Sequence, residues 1–457
     1  MSARKHVEER LARIAEVDGS INAVCTLNPG ALTQAMALDG DPSRGPLHGQ
    51  VVLVKDNIDT ADMITTAGSL ALADQPPPTR DAPLVRRLRE AGMVVLGKTN
   101  LSEWANIRDA MSTSGWSGYG GLTRNPYALN RSAGGSSSGS GAAVAAGLTA
   151  YAIGTETDGS ISCPAAFNGC VGIKPTVGLV PTKGVVPISV SQDSPGPMAT
   201  TVAQAAGLLG VLARDGVDYA AHAIPGRLEG KRIGVARHDF WGYSPHADAA
   251  GERALSLLSE AGATIVDGTE IAAMEGFNGD DELLVLLSEL RSGLAGYLTG
   301  RPGDGPRTLE DVVAFNRAHA DTELAHFGQS LFEAALDGPE YMSKEYAEAR
   351  ARCVAASRDG MDAVIREHSI DAFLAPSYAP ACPIDLVNAE AQSGACTQPS
   401  AMAGYPILTL PMQLAAGLPV AVSVWGAAGS EATLIEIGAG LEALREPLPP
   451  PELNPWV

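Results

Sequence analysis

The chain has 457 residues, 45% of them apolar and only 5% aromatic, with a formal net charge of −20. That length and apolar content can fill a large core, which excludes a disordered chain. The acidic balance excludes the basic footprint of a nucleic-acid binder, and no polybasic stretch suggests attachment to anionic lipid.

Residues 5–17 read as a charged amphipathic helix with Val7, Leu11 and Ile14 on one face, without the apolar core of a signal peptide. Residues 50–54 read as a buried strand ending at Lys55-Asp56-Asn57. After the loop at Pro76-Pro77-Pro78, residues 82–91 read as a helix and Met93-Val94-Val95-Leu96 as the next strand. This strand–helix–strand order predicts an α/β sheet buried on both faces. Residues 139–147 predict a helix of Gly and Ala ending at Gly147, followed by a short strand at Tyr151-Ala152-Ile153. Further helices are expected over 202–213 and 249–261, and a strand over 232–236. The block 270–358 is charged and mostly helical (Glu282 to Leu298, Thr308 to His319, Met342 to Ser357) and reads as a helical layer or lid. Core strands return at 372–376 and 407–411, a last helix spans 431–444, and the Pro-rich tail 447–457 is expected on the surface.

The six cysteines are scattered and form no CxxC pair, which fits free buried thiols in a reducing cytoplasm and gives no zinc-ligand spacing. The longest apolar stretch, around 142–154, is too short and too rich in Ala and Gly to span a bilayer. The expectation is a soluble, cytoplasmic protein.

The chemistry concentrates in two serine-bearing glycine turns, Gly134-Gly135-Ser136-Ser137-Ser138-Gly139 and Gly154-Thr155-Glu156-Thr157-Asp158-Gly159-Ser160, flanking the small-residue helix. The first turn lacks the Gly-Lys-Ser/Thr of a phosphate-binding loop, and Val144 breaks a dinucleotide fingerprint. By composition alone it also fits a flexible linker. No histidine lies between His48 and His222, so a nucleophilic Ser160 has no imidazole nearby in sequence. Lys55 is either a lysine snorkelling at a strand end or a desolvated amine whose lowered pKa lets it accept a proton.

Together these segments resemble the amidase signature family. The matching stretches are "VVLVKDNIDT", "VVLGKTNLSEWAN", "GGSSSGSGAAVAAG", "GTETDGSISCPAAFNGCVGIKPTVGLV" and "SQDSPGPMATTV", and Ser136 and Ser160 keep the separation of that family's two catalytic serines. Within the family, "SEWANIR", "GWSGYGGLTRNPY" and "FNRAHADTELAHFGQ" look most like bacterial peptide amidases, which hydrolyse C-terminal peptide amides. The resemblance implies one domain over 1–457, built as a single large mixed β-sheet sandwiched between layers of α-helices. It implies a triad of Ser160 as nucleophile, Ser136 as a bridge after a cis peptide, and Lys55 as base. The backbone N–H groups of Thr157, Asp158, Gly159 and Ser160 would form the oxyanion hole. It calls for no cofactor and no metal, a small-molecule amide as substrate, and a monomer or homodimer.

Trp104, Asn106, Arg108 and Ser137 are the further candidates for substrate contact. Each has a plainer reading, the Trp as a core ring and the Ser as a turn hydroxyl or an orienter of Ser136. Cys163 and Cys170, just after the nucleophile, fit core packing. Asp158 departs from the small residue of the broad family pattern. It is either a turn-stabilising Asp or a carboxylate that disfavours a leaving group with a free acid. The alternatives are carbamate or ester cleavage by the same triad, and an amidotransferase component that works only in an assembly.

Overall fold

In the computed structural model, which describes residues 2–457, the strands in chain order are β1 (Val24–Leu27), β2 (Val51–Lys55), β3 (Val94–Thr99), β4 (Trp116–Ser117), β5 (Gly121–Leu122), β6 (Tyr151–Glu156), β7 (Val171–Lys174), β8 (Ser194–Ala199), β9 (Arg232–Val235), β10 (Thr264–Asp267), β11 (Ala372–Pro376), β12 (Ile407–Ala415) and β13 (Leu418–Trp425). Eleven of them form one mixed sheet in the order β1-β3-β2-β6-β8-β7-β12-β13-β11-β9-β10, and β4 pairs with β5 alone. The runs β3-β2-β6 and β11-β9-β10 are parallel, and the strands between them are antiparallel.

Alternation along β2 and β3 assigns the two faces. Val52, Val54 and Val95 join a core with residues of helices Pro83–Glu90, Val202–Leu212, Pro245–Glu260 and Glu431–Leu444. Val51, Leu53, Val94 and Leu96 face the other way, against helices Ala3–Ile21, Ala31–Asp39 and Ser138–Ala145. The sheet is therefore covered on both sides, as its uniformly apolar central strands require. None of the described helices is long and apolar enough to cross a membrane.

Most expected elements are present with boundaries moved by a few residues. The strand expected over 50–54 runs one residue further, so Lys55 is its last member. The Gly/Ala helix spans Ser138–Ala145, and Gly147 behind it takes φ 71°, the left-handed turn that stops a helix. Helix Pro245–Glu260 starts earlier than expected because Ser244 caps it and Pro245 opens it. The helix expected to end at Ser357 instead continues from Lys344–Val354 through one wide turn, Ala355–Asp359, into Gly360–His368. In the 270–358 block, helix Asp280–Thr299 packs Leu287, Leu290, Leu294 and Leu298 onto Trp104, Ile107 and Ile188. That contact brings a helix remote in sequence up to the serine turns.

Candidate active site

Lys55 ends β2 in the middle of the sheet and is fully buried. Its Nζ lies 2.7 Å from Ser136 Oγ, 3.0 Å from Ser137 Oγ, 2.9 Å from Thr155 Oγ1 and 3.3 Å from the Thr155 carbonyl. Among the described residues no carboxylate forms an ion pair with it. Burial lowers its pKa to about 7, against the raising effect of the Asp193 and Glu156 charges. Near neutrality a large share of the amine is therefore unprotonated.

The surrounding hydrogen bonds decide what a neutral amine can do. Ser137 Oγ–H donates to the Thr155 carbonyl at 3.1 Å, and Ser137 Oγ accepts from Thr155 N–H at 3.2 Å. Toward Lys55, Ser137 and the Thr155 carbonyl can only accept. Thr155 Oγ1 also takes a hydrogen bond from Asn57 Nδ2 at 3.0 Å. The amine's lone pair is left for a hydroxyl, and Ser136 is the nearer one. Ser136 follows a cis peptide bond after Gly135. A side chain at Gly135 would collide with Ser102 Oγ, so only glycine admits this close approach.

The second serine turn joins β6 to the short helix Ser162–Asn168. Glu156, buried at the end of β6, accepts from Ile161 N–H at 2.7 Å and Ser162 N–H at 2.8 Å. This ties the start of the helix back onto the strand and leaves residues 157–160 as an outward bend. Among the described residues, no protein acceptor takes the N–H groups of Thr157, Asp158, Gly159 or Ser160. Four adjacent unpaired donors at a bend suit a developing oxyanion. Gly159 has φ 77°, and a Cβ there would run into Tyr378 Oη. The Ser160 carbonyl accepts from Ser137 N–H at 3.0 Å, which holds the two serine turns side by side.

A cavity of about 200 Å³ opens onto this bend, lined by residues 157–160 with Gly135, Cys163, Asn106, Leu286 and Tyr378 among others. Asn106 is thus the one member of the "SEWANIR" segment's three candidates that lines it. It arrives there through a left-handed turn, with φ of 51° at Trp104, 55° at Ala105 and 74° at Asn106. Each such residue costs roughly 1–2 kcal/mol, a load that collects at functional sites. Trp104 is turned into the core, edge-on to Phe332. Arg108 is fully buried, ion-paired with Glu103, close to Glu323 and stacked over Phe327. A guanidinium so buried supports the fold beside the site and does not line the cavity. Ser137 faces Lys55 and Thr155, and it does not line the cavity.

Asp158 lines the cavity and accepts from Thr397 Oγ1 at 2.5 Å. Burial, then the Glu282 charge, pushes its carboxyl well above the usual range. Sequence reasoning assigns no role to Thr155, Asn57, Asp193 or Thr397. Asp193 accepts from Thr157 Oγ1 at 2.6 Å and from Ile188 and Ser189 N–H, and burial pushes it up to about 6. Each of these side chains acts across contacts distant in sequence, which no local pattern announces. Of the cysteines, five are buried, Cys25 is half-buried, and all are free thiols.

The family model described as Amidase matches residues 5–435. The X-ray structure of native peptide amidase from Stenotrophomonas maltophilia is 43% identical, with a TM-score of 0.91 over 99% of this chain and 96% of that one. A probable amidase of Arabidopsis thaliana is 35% identical over 97% of this chain and 86% of its own length. One subunit of the glutamyl-tRNA(Gln) amidotransferase of Acidothermus cellulolyticus is 34% identical over 97% of this chain and 91% of its own length.

Proposed function

The chain belongs to the amidase family and is a hydrolase of linear amide C–N bonds; within that chemistry we propose that it releases ammonia from a carboxamide, with the C-terminal amide of a peptide as the leading substrate, through an acyl-enzyme on Ser160. The observation that carries this reading is the fully buried Lys55, held near pKa 7 among hydroxyls and 2.7 Å from Ser136. The likeness to the Stenotrophomonas peptide amidase supports the choice of substrate.

In this mechanism Ser160 Oγ attacks the carbonyl carbon. Its proton passes to Ser136 as the Ser136 proton passes to neutral Lys55. The oxyanion takes the free N–H groups of residues 157–160. The proton then returns by the same route to the leaving nitrogen, and ammonia departs. Water, deprotonated along the same chain, hydrolyses the ester and restores Ser160. Asp193 holds Thr157, and Glu156 holds the start of the following helix, so the N–H groups are oriented before the substrate arrives.

The test is a panel of a peptide amide, an anilide, a carbamate and an ester, offered to the purified chain alone and to Ser160→Ala. The expected result is fastest turnover of the peptide amide, no turnover by the variant, and a fluorophosphonate adduct on Ser160 by mass spectrometry. A Ser160→Ala enzyme near wild-type rate would overturn the nucleophile. A carbamate or ester preference would overturn the substrate class.

A further inference from the structure

Leucines are not all that helix Asp280–Thr299 presses toward the serine turns. The same helix buries two glutamates, Glu282 and Glu289, about two turns apart on one side of it. Among the described residues neither is ion-paired, and each is held by hydroxyl and amide donors alone. An apolar side chain at either position would avoid the cost of burying a carboxylate. What the two carboxylates hold is therefore informative.

Glu289 accepts from Ser189 O–H, from Ser191 N–H at 3.0 Å and Ser191 O–H at 3.2 Å, and from Tyr346 O–H of helix Lys344–Val354 at 2.6 Å. Glu282 accepts from Gln192 Nε2 and Gln398 Nε2, each at 2.8 Å. One helix thus grips Ser189, Ser191 and Gln192, a turn closed by its own bond from Asp193 N–H to the Ser189 carbonyl at 2.9 Å. Asp193 at its end accepts from Thr157 O–H at 2.6 Å, and Gln192 Nε2 lies 3.5 Å from the Thr157 carbonyl. On the other side Gln398 follows Thr397, whose hydroxyl donates to Asp158. The contacts that hold Thr157 and Asp158 from behind lead back to the two glutamates.

We propose that Glu289, seconded by Glu282, is a positioning residue for catalysis: through the Ser189–Asp193 turn it fixes the peptide planes at 157–158 so that their N–H groups stand ready for the oxyanion. This rests on the reading of residues 157–160 as the oxyanion hole, and it makes the helical block part of the catalytic frame. The Thr157 carbonyl and the Asp158 N–H belong to one planar peptide and point in opposite directions. Holding the carbonyl and hydroxyl of Thr157 toward the Ser189–Asp193 turn aims that N–H away from it. Such donors stabilise the transition state because they are oriented before charge develops. A carboxylate grips its donors about twice as strongly as a neutral acceptor, which suits a bend whose own N–H groups are unpaired.

The experiment compares wild type, Glu289→Gln and Glu282→Gln in kcat and KM for a peptide amide, and in affinity for a peptide aldehyde and the matching peptide alcohol. Ser160 Oγ adds to the aldehyde carbon, the C=O π bond opens onto oxygen, and that oxygen occupies the oxyanion position; the alcohol cannot form this adduct. Glu289→Gln keeps the shape and should lower kcat about 5–30-fold, short of the roughly 10²–10³-fold of losing an oxyanion donor outright. Aldehyde affinity should fall by a similar factor, while KM and alcohol affinity stay within about twofold. Glu282→Gln should show the same split more weakly, since the contact of Gln192 with the Thr157 carbonyl is long. Should Glu289→Gln fail to fold, Tyr346→Phe, which removes one donor to Glu289 and leaves the carboxylate in place, should show the split at about 2–5-fold. Wild-type aldehyde affinity in the folded variant, or equal losses for aldehyde and alcohol, would overturn the positioning role. A wild-type enzyme that forms no aldehyde adduct on Ser160 by mass spectrometry would instead overturn the catalytic reading, and the positioning role with it.

Discussion

Two lysines on neighbouring parallel strands, both fully buried, have opposite surroundings. Lys98 on β3 reaches Asp56 at 3.2 Å, the Ile58 carbonyl at 2.7 Å and Thr65 Oγ1 at 3.2 Å. Lys55 on β2 reaches three hydroxyls and a carbonyl, with no carboxylate beside it. Burial is common to both, so burial does not make a base. The partner does: Lys98 is tied to a carboxylate, whereas Lys55 faces hydroxyls that can pass a proton to it. Lys174 makes the same point from another side. Burial lowers its pKa to about 8, yet among the described residues it donates only to the carbonyls of Ser400 and Tyr405, and no hydroxyl there bonds to it. Geometry has to be judged before pKa.

The strongest way to break the comparison is to remove each amine while keeping its length. Lys55→Met should lower kcat/KM by about 10³–10⁴-fold, the full range of a general base held in a relay. The same variant should be as stable as wild type or more so. The native pKa near 7 lies below the unfolded 10.5, so the unfolded chain binds more protons between those values and wild-type stability rises with pH across that window. The advantage of Lys55→Met should accordingly be largest at or below pH 7 and fade toward pH 10.5 in urea melts. Wild-type kcat/KM should rise with pH through about 7 as Lys55 loses its proton. A flat profile there would mean that another group supplies the base.

Lys98→Met should do the reverse. It strands the Asp56 carboxylate, which remains bonded to Thr66, without its cation. Breaking a buried pair from one side costs about 3–5 kcal/mol. Unfolding free energy should fall by that amount, while kcat per folded molecule stays within a fewfold of wild type. A stable but inactive Lys98→Met would show that Lys98 belongs to the relay.

Of this arrangement, the sequence carries the parts that depend on local pattern. The run Val51 to Val54 announces a buried strand, and the missing histidine directs attention to the lysine at its end. β8 is invisible there because Ser194–Ala199 contains Pro195 and Pro197, residues that argue against an interior strand. They are tolerated because β7 pairs only with Met198 and Ala199, so the absent proline N–H groups fall beyond that ladder. The contrast between the two lysines is also out of reach. "VVLVKDN" and "VVLGKTN" are nearly the same string, and only the approach of Ser136, Ser137 and Thr155 to one of them, and of Asp56 to the other, separates their roles. The left-handed turn at 104–106 likewise depends on tertiary packing of Trp104, which no propensity reports.

A milder perturbation sharpens the comparison by changing one neighbour of Lys55 and leaving the amine. Ser137→Ala removes an acceptor for Lys55 and unpairs Thr155 N–H. The expected cost is about 1–3 kcal/mol, read as roughly a 5- to 150-fold loss in kcat with KM little changed. Restoration by Ser137→Thr would support a positioning role. A rise in KM with kcat intact would return Ser137 to the substrate-binding residues.

The smallest expected effect concerns charge at the cavity rather than at the base. Asp158 is held well above the usual carboxylate range by burial and by Glu282, so at low pH it is a neutral acid facing the substrate. Only as pH rises does it become an anion able to repel a leaving group that carries its own carboxylate. Wild-type preference for releasing ammonia over releasing a terminal amino acid should therefore grow with pH. Asp158→Asn keeps the shape and the contact with Thr397 but cannot ionise. Its preference should match wild type at low pH and fall a fewfold below it at high pH, in competition assays with a peptide amide and the corresponding peptide acid extended by one residue. The comparison with Lys55 then extends to the acids: burial together with the neighbouring Glu282 holds the group neutral at low pH, and the charge that appears as pH rises sets selectivity. Equal preference in the two enzymes across the whole range would confine Asp158 to holding the turn through Thr397.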